Sequence, residues 1–204
     1  MDPWISLVRL GDLDLTLPLA AAAFGWMAAA KAWRIAMWWG LLFGAGVLLV
    51  GASKVAFMAW GSGLPTLGFQ SFSGHATGVT AVFPILFWLL LRGAGDKLAR
   101  AGAALGLGLG LVVGVLLVVF DYHTAAEAVA GCLLGAAVSL AWIRLAGAGV
   151  GAASPASFGW FALVFLAGTW LMTFAHVGWW MIRLATLLSG QDRPYPLGSA
   201  DTSC

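Results

Sequence analysis

The residues able to do chemistry are few and well separated. His75 closes the triplet Ser73-Gly74-His75, inside the stretch Ser71 to Gly78 that holds a histidine, three hydroxyls and two glycines. The chain from Val79 to Leu91 is then almost wholly apolar, so the triplet stands where a loop becomes a membrane helix. Backbone N–H groups at such a helix start have no partners inside the helix, and the helix dipole favours an anion beside them. His123 and Glu127 are one helical turn apart, which predicts that they share a face. A carboxylate inside a membrane helix costs about 2.5–3.5 kcal/mol at the centre, and is tolerated near an end or when paired. Hydrogen-bonded to one imidazole nitrogen, it fixes the tautomer and leaves the other nitrogen free to attack. His75, on another helix, is then available to deliver a proton, and Lys54 supplies a cation. An oriented nucleophile, a proton donor, a cation and an anion nest together suit phosphoryl transfer through a histidine.

Each of these residues also has a plainer reading. Lys54 alone would snorkel to the interface, Glu127 could bond between helices, and His176 reads as an ordinary interfacial histidine. Two histidines and a glutamate would suit zinc, the less favoured reading; no metal or other cofactor is assigned. Cys132, inside an apolar stretch, and Cys204 give neither a disulfide framework nor metal-ligand spacing.

The elements that must position these groups are membrane helices. The 204 residues are 62% hydrophobic and 9% charged, against about 25% charged in a soluble domain. The chain cannot cover a water-facing surface, so an all-α integral membrane bundle is predicted, with the lipid bilayer as its surroundings. A formal charge of +2 without a basic run argues against nucleic acid. The N-terminus lacks the pattern of a removable signal peptide. Residues 1–14 read as an interfacial segment, 15–190 as a six-helix membrane domain and 191–204 as a polar, mobile tail. The spans are placed at about Leu15–Ala30, Ile35–Trp60, His75–Leu91, Ala101–Phe120, His123–Ala146 and Phe158–Met181, each near the ~20 residues a crossing needs. Gly106, Gly108 and Gly110 fit either close helix packing or a lipid-facing surface. Trp38-Trp39 and Trp179-Trp180 read as interfacial belts.

Six alternating spans put Lys31, Arg34, Arg92, Lys97, Arg100 and Arg144 on one side of the membrane, against the acid Asp96. The termini side holds Arg9, Arg183 and Arg193 with most of the acids. The positive-inside rule then places the termini outside the cytoplasm, with Lys54, Ser73-Gly74-His75 and His123 on that same outer face.

At these residues the chain resembles the type-2 phosphatidate phosphatase superfamily of membrane lipid phosphatases. The family pattern is Lys, six residues, Arg-Pro; then Pro-Ser-Gly-His; then Ser-Arg, five residues, His, three residues, Asp. Lys54 matches the first block, Ser73-Gly74-His75 the second, and His123 with Glu127 the end of the third. The resemblance runs from Lys54 to Gly131, about two-fifths of the chain. Gly61-Ser62, Phe72 and Leu116-Leu117 stand where the family has Arg-Pro, Pro and Ser-Arg, and Glu127 stands for Asp. The resemblance implies attack by His123 on phosphorus, Glu127 polarising it, His75 protonating the leaving oxygen, and Lys54 with the backbone of Ser73 and Gly74 binding phosphoryl oxygens. No metal is implied. The substrate would be a phospholipid or polyprenyl phosphate or diphosphate, at the outer face of a bacterial inner membrane. Arg183, at the end of the sixth span and two turns after His176, is the candidate replacement for the missing arginines. A head-group phosphotransferase on the same histidines, or a relative with little catalysis, are the alternatives.

Overall fold

The computed structural model describes residues 3–146 and 155–197, which fold as α-helices joined by turns and, between Trp60 and Gly74, a longer loop, with no strand among them. The helices are α1 (Pro3–Val8), α2 (Leu13–Ala29), α3 (Trp33–Trp60), α4 (Gly74–Leu91), α5 (Asp96–Val119), α6 (Ala125–Ala146), α7 (Pro155–Ala175) and α8 (Val177–Ser189). Five of them, α3 to α7, are long and apolar enough to cross a membrane. The protein is an all-α membrane bundle. Helix α2 has 17 residues and is equally apolar, at the lower limit of what a bilayer requires. Residues 147–154, between the fifth and sixth predicted spans, and residues 198–204 of the predicted tail lie outside the described residues.

Helix α4 is the centre of the bundle, packed against α2, α3, α5 and α6, and it is the most buried of the five long helices. Close approach on two sides comes from missing side chains. A Cβ at Gly102 or Gly106 of α5 would run into the α4 backbone at Phe87 or Pro84, and one at Gly110 would strike Thr80. On the opposite flank, a Cβ at Gly131 or Gly135 of α6 would come within 2.7 Å of the Ser73 carbonyl oxygen or 2.5 Å of that of Thr77. Small residues at i, i+4 and i+8 let membrane helices touch along their backbones, where dispersion and weak polar contacts replace the hydrophobic effect. Gly108 meets nothing within 4 Å. The two readings of the glycine run are therefore both realised, on different faces of one helix.

The opposite end of the bundle is closed by tryptophan. Trp39 and Trp142 are fully buried, and their indole N–H groups donate to the carbonyl oxygens of Ala20 at 2.8 Å and Ile35 at 3.1 Å. A buried indole needs such an acceptor. The interfacial expectation thus holds for Trp38, which is exposed, and fails for Trp39, which belongs to the core with Met27, Ile85 and Leu89. Arg92 pairs with Asp96 at this same end.

The sixth predicted span is not continuous. His176 takes a left-handed conformation (φ 43°), so α7 stops at Ala175 and α8 restarts at Val177. This conformation costs a non-glycine residue energy, and the His176 ring helps to hold it through Nδ1, 2.8 Å from the Phe174 carbonyl oxygen. Beyond the break α8 lies along α3, where Ala185 and Met181 pack on Val55, Met58 and Ala59. The tail is likewise pinned in its described part. The Tyr195 N–H donates to the Met58 carbonyl oxygen at 2.9 Å, and its ring stands beside Phe57.

Candidate active site

The start of α6 is built by a capping box. The Thr124 hydroxyl oxygen accepts the Glu127 backbone N–H at 3.3 Å, and Glu127 Oε2 accepts the Thr124 N–H at 3.3 Å. This Thr-x-x-Glu exchange satisfies two orphan donors of the helix. It also moves His123 out of the helix, which corrects the expectation of a shared helical face. His123 lies in the α5–α6 turn, which Asp121 reverses at φ 57° and in which the N–H groups of Tyr122 and His123 both donate to the Leu117 carbonyl. The pairing itself forms, with His123 Nδ1 2.8 Å from Glu127 Oε2. In the neutral ring, a proton on Nδ1 shared with this carboxylate would leave the Nε2 lone pair as the available one.

The second oxygen of Glu127 holds the loop before α4. It accepts the backbone N–H groups of Gln70 at 3.1 Å and Ser71 at 3.4 Å. The Glu127 carbonyl accepts the Ser73 N–H at 3.3 Å. Ser73 then caps α4, its Oγ accepting the Ala76 N–H at 3.3 Å, and the Thr77 hydroxyl donates to the Ser73 carbonyl. Phe72 is tied to α3, its N–H donating to Ser53 Oγ at 3.3 Å. One buried carboxylate thus joins three chain segments at the histidine pair.

His75 points from the first turn of α4 toward His123, their ring centroids 6.3 Å apart. Its own partner comes from a distant part of the chain. His75 Nε2 is 2.9 Å from Asp12 Oδ1, at the entrance to α2. Asp12 can come this close because residue 11 is glycine: a Cβ there would lie 2.7 Å from the His75 Cβ. Lys54 lies half-buried on α3, within Coulombic range of both Glu127 and His75. The expected convergence of Lys54, Ser73-Gly74-His75 and His123 at one end of the bundle is therefore present in three dimensions.

A cavity opens beside each histidine, His75 lining one and His123 the other. One, of about 240 Å³, is lined by Lys54, Gly74 and His75 at its polar end and runs between α2, α3, α4 and α8 as far as Phe43 and Val138. The other, of about 440 Å³, lies under the loops and is lined by His123, Glu127, Gln70, Asp121 and Tyr122.

Arg183 does not join the cluster. It is exposed, with its guanidinium 5.2 Å from the Trp179 ring centroid. Val177, Met181 and Ala185 are the α8 residues that face the cavity and α3, and residue 183 falls on the opposite side of that helix. The break at His176 also removes the common face that would have linked it to Arg183. His176 takes no part in the site, and its ring serves the turn. Leu117, which stands where the phosphatidate phosphatase pattern has an arginine, is fully buried in the core with Val113 and Cys132. Among the described residues, Lys54 is thus the cation at the polar end of the first cavity. Among the same residues no group of three or more His, Cys, Asp or Glu side chains is placed to hold a metal ion.

The Thr124-x-x-Glu127 spacing was a readable signal for the helix start. Asp12 gave none, since 63 residues separate it from His75.

Fold and site together define a helical membrane protein with two histidine–carboxylate pairs facing each other at one end. The chain is 40% identical over 143 residues to an uncharacterized 22.5 kDa protein in the cps region of Klebsiella pneumoniae, a match covering 70% of this chain and 68% of that one. It belongs to the family of that protein. No family model matches the sequence, and no solved structure matches it either.

Proposed function

We propose that this protein is a metal-independent lipid phosphatase of the type-2 phosphatidate phosphatase kind. The observation that carries the reading is the His123–Glu127 pair, bonded through Nδ1, with a second histidine 6.3 Å away by ring centroids. His123 Nε2 attacks phosphorus while the bond from phosphorus to the lipid oxygen breaks. His75, protonated and held by Asp12, gives its proton to that leaving oxygen. Lys54 and the N–H groups at the start of α4 balance the charge on the phosphoryl oxygens. Water then attacks the phosphohistidine, passes a proton to His75 and releases inorganic phosphate, restoring the starting state. The lipid reaches the site from the bilayer. With Lys31, Arg34, Arg92, Lys97, Arg100 and Arg144 at the far end, the site belongs on the extracytoplasmic face of the bacterial membrane.

A second reading is favoured by the cavity under the loops. A lipid hydroxyl entering there on the His123 side, in place of water, would make the protein a head-group phosphotransferase. The absence of arginine from the family's clamp positions also suits a differently held substrate.

The test is a panel of lipid phosphates offered to the purified protein in detergent without added metal. Phosphate release by the wild type, lost by roughly 10⁴-fold or more in His123→Ala and strongly reduced in His75→Ala, is the expected result. Equal release by both variants would remove these residues from the mechanism. Movement of a head group to a second lipid without phosphate release would establish the transferase. No turnover of any lipid would leave a non-catalytic relative.

A further inference from the structure

The cavity that begins at His75 extends well beyond the space a phosphate needs. Its polar end is formed by Lys54 and His75, and from there its walls are hydrocarbon: Val47 and Val50 of α3, Ala81 of α4, Val138 of α6 and Met181 of α8. Two threonines also line it, but both hydroxyls are turned to their own helices, Thr16 to the Asp12 carbonyl and Thr77 to the Ser73 carbonyl. Along α3 the walls reach from Lys54 to Phe43, a depth of about 16 Å at the helical rise.

We propose that this cavity takes the hydrocarbon chain of a single-chain anionic amphiphile, with the anionic head at Lys54 and His75. This deepens the phosphatase reading and rests on it for the identity of the head group as a phosphate. Three features carry it. The ionisable groups lining the cavity, Lys54 and His75, stand together at one end, which suits a ligand with one anionic end and one apolar end. The volume bounds how much chain the cavity itself holds. A dry apolar cavity of about 150 Å³ holds the six carbons of benzene, so about 240 Å³ holds roughly nine or ten carbons in proportion. That is the upper part of one chain and far less than the two long chains of a diacyl lipid. Glycine, finally, keeps the slot open. A Cβ at Gly51, on the α3 wall, would meet nothing within 4 Å, so the space beside it is vacant rather than occupied by a neighbouring side chain.

The experiment measures binding rather than turnover. His123→Ala protein in nanodiscs of zwitterionic lipid is titrated with radiolabelled decyl phosphate. Gly51→Phe and, separately, Val47→Phe are added to fill the slot, and Leu48→Phe, at a residue 74% exposed on the same helix, is the control. The expected result is a dissociation constant for decyl phosphate raised about tenfold or more by either filling variant, with Leu48→Phe unchanged and butyl phosphate bound alike by all. Dipalmitoyl phosphatidate is expected to bind more weakly than decyl phosphate. Unchanged decyl phosphate binding in both filling variants would overturn the proposal, as would phosphatidate binding as tightly as decyl phosphate. Because the protein titrated cannot turn over, failure of the phosphatase assay and failure of this cavity proposal are read separately.

Discussion

His123 is enclosed by its own turn and by a carboxylate whose side chain is 7% exposed, whereas His75 meets a carboxylate that is 45% exposed and arrives from 63 residues away in the chain. The two pairs have nearly the same length, 2.8 Å and 2.9 Å, but different surroundings. Glu127 is locked by backbone donors from two other segments, while Asp12 is nearly half exposed. The difference suits the two jobs that the proposed mechanism gives these histidines. A nucleophile gains from a fixed tautomer and a fixed direction of attack. A group that gives up a proton in one step and recovers it in the next needs contact with water.

The sharpest break of this comparison is Glu127→Gln. Glutamine keeps the capping-box position, but it carries no charge to orient and stabilise the His123 imidazolium. Turnover is expected to fall by roughly 10²–10⁴ with little loss of helix content by circular dichroism. A decrease under tenfold would mean that the buried pair does not orient the nucleophile. Asp12→Asn is expected to be far milder, because a half-exposed ion pair contributes about 1 kcal/mol or less. A fall in kcat of about fivefold with KM unchanged is the outcome that supports a positioning role. A fall matching that of Glu127→Gln would erase the distinction between the two histidines. At the small end, Arg183→Ala and Arg193→Ala are both expected to stay within about twofold of wild type, as surface charges do. A large and selective loss in Arg183→Ala would require α8 to turn its exposed face toward the histidines during the reaction.

Much of this site was legible before the fold was known, for identifiable reasons. Apolar spans of sufficient length announce membrane helices, and alternating crossings bring Lys54, His75 and His123 to one end whatever the details of packing. Three features were not legible. The Asp12–His75 pair joins segments distant in sequence, and residue types in a polar entry loop do not say which helix start they will touch. The break at His176 lies within an apolar run that has no proline or glycine at the break point, so hydropathy reads straight through it. The docking of Tyr195 on Met58 depends on α8 having already turned back along α3. Local pattern identifies elements, and contacts between elements appear only when the chain is folded.

The Glu127 carboxylate has a consequence for when the site comes into being. It receives the amides of Gln70, Ser71 and Thr124 while it orients His123. Hydrogen exchange at those three amides should therefore follow a single opening event, and that event also releases the imidazole. The histidine–carboxylate geometry and the local fold at this corner are assembled and lost together.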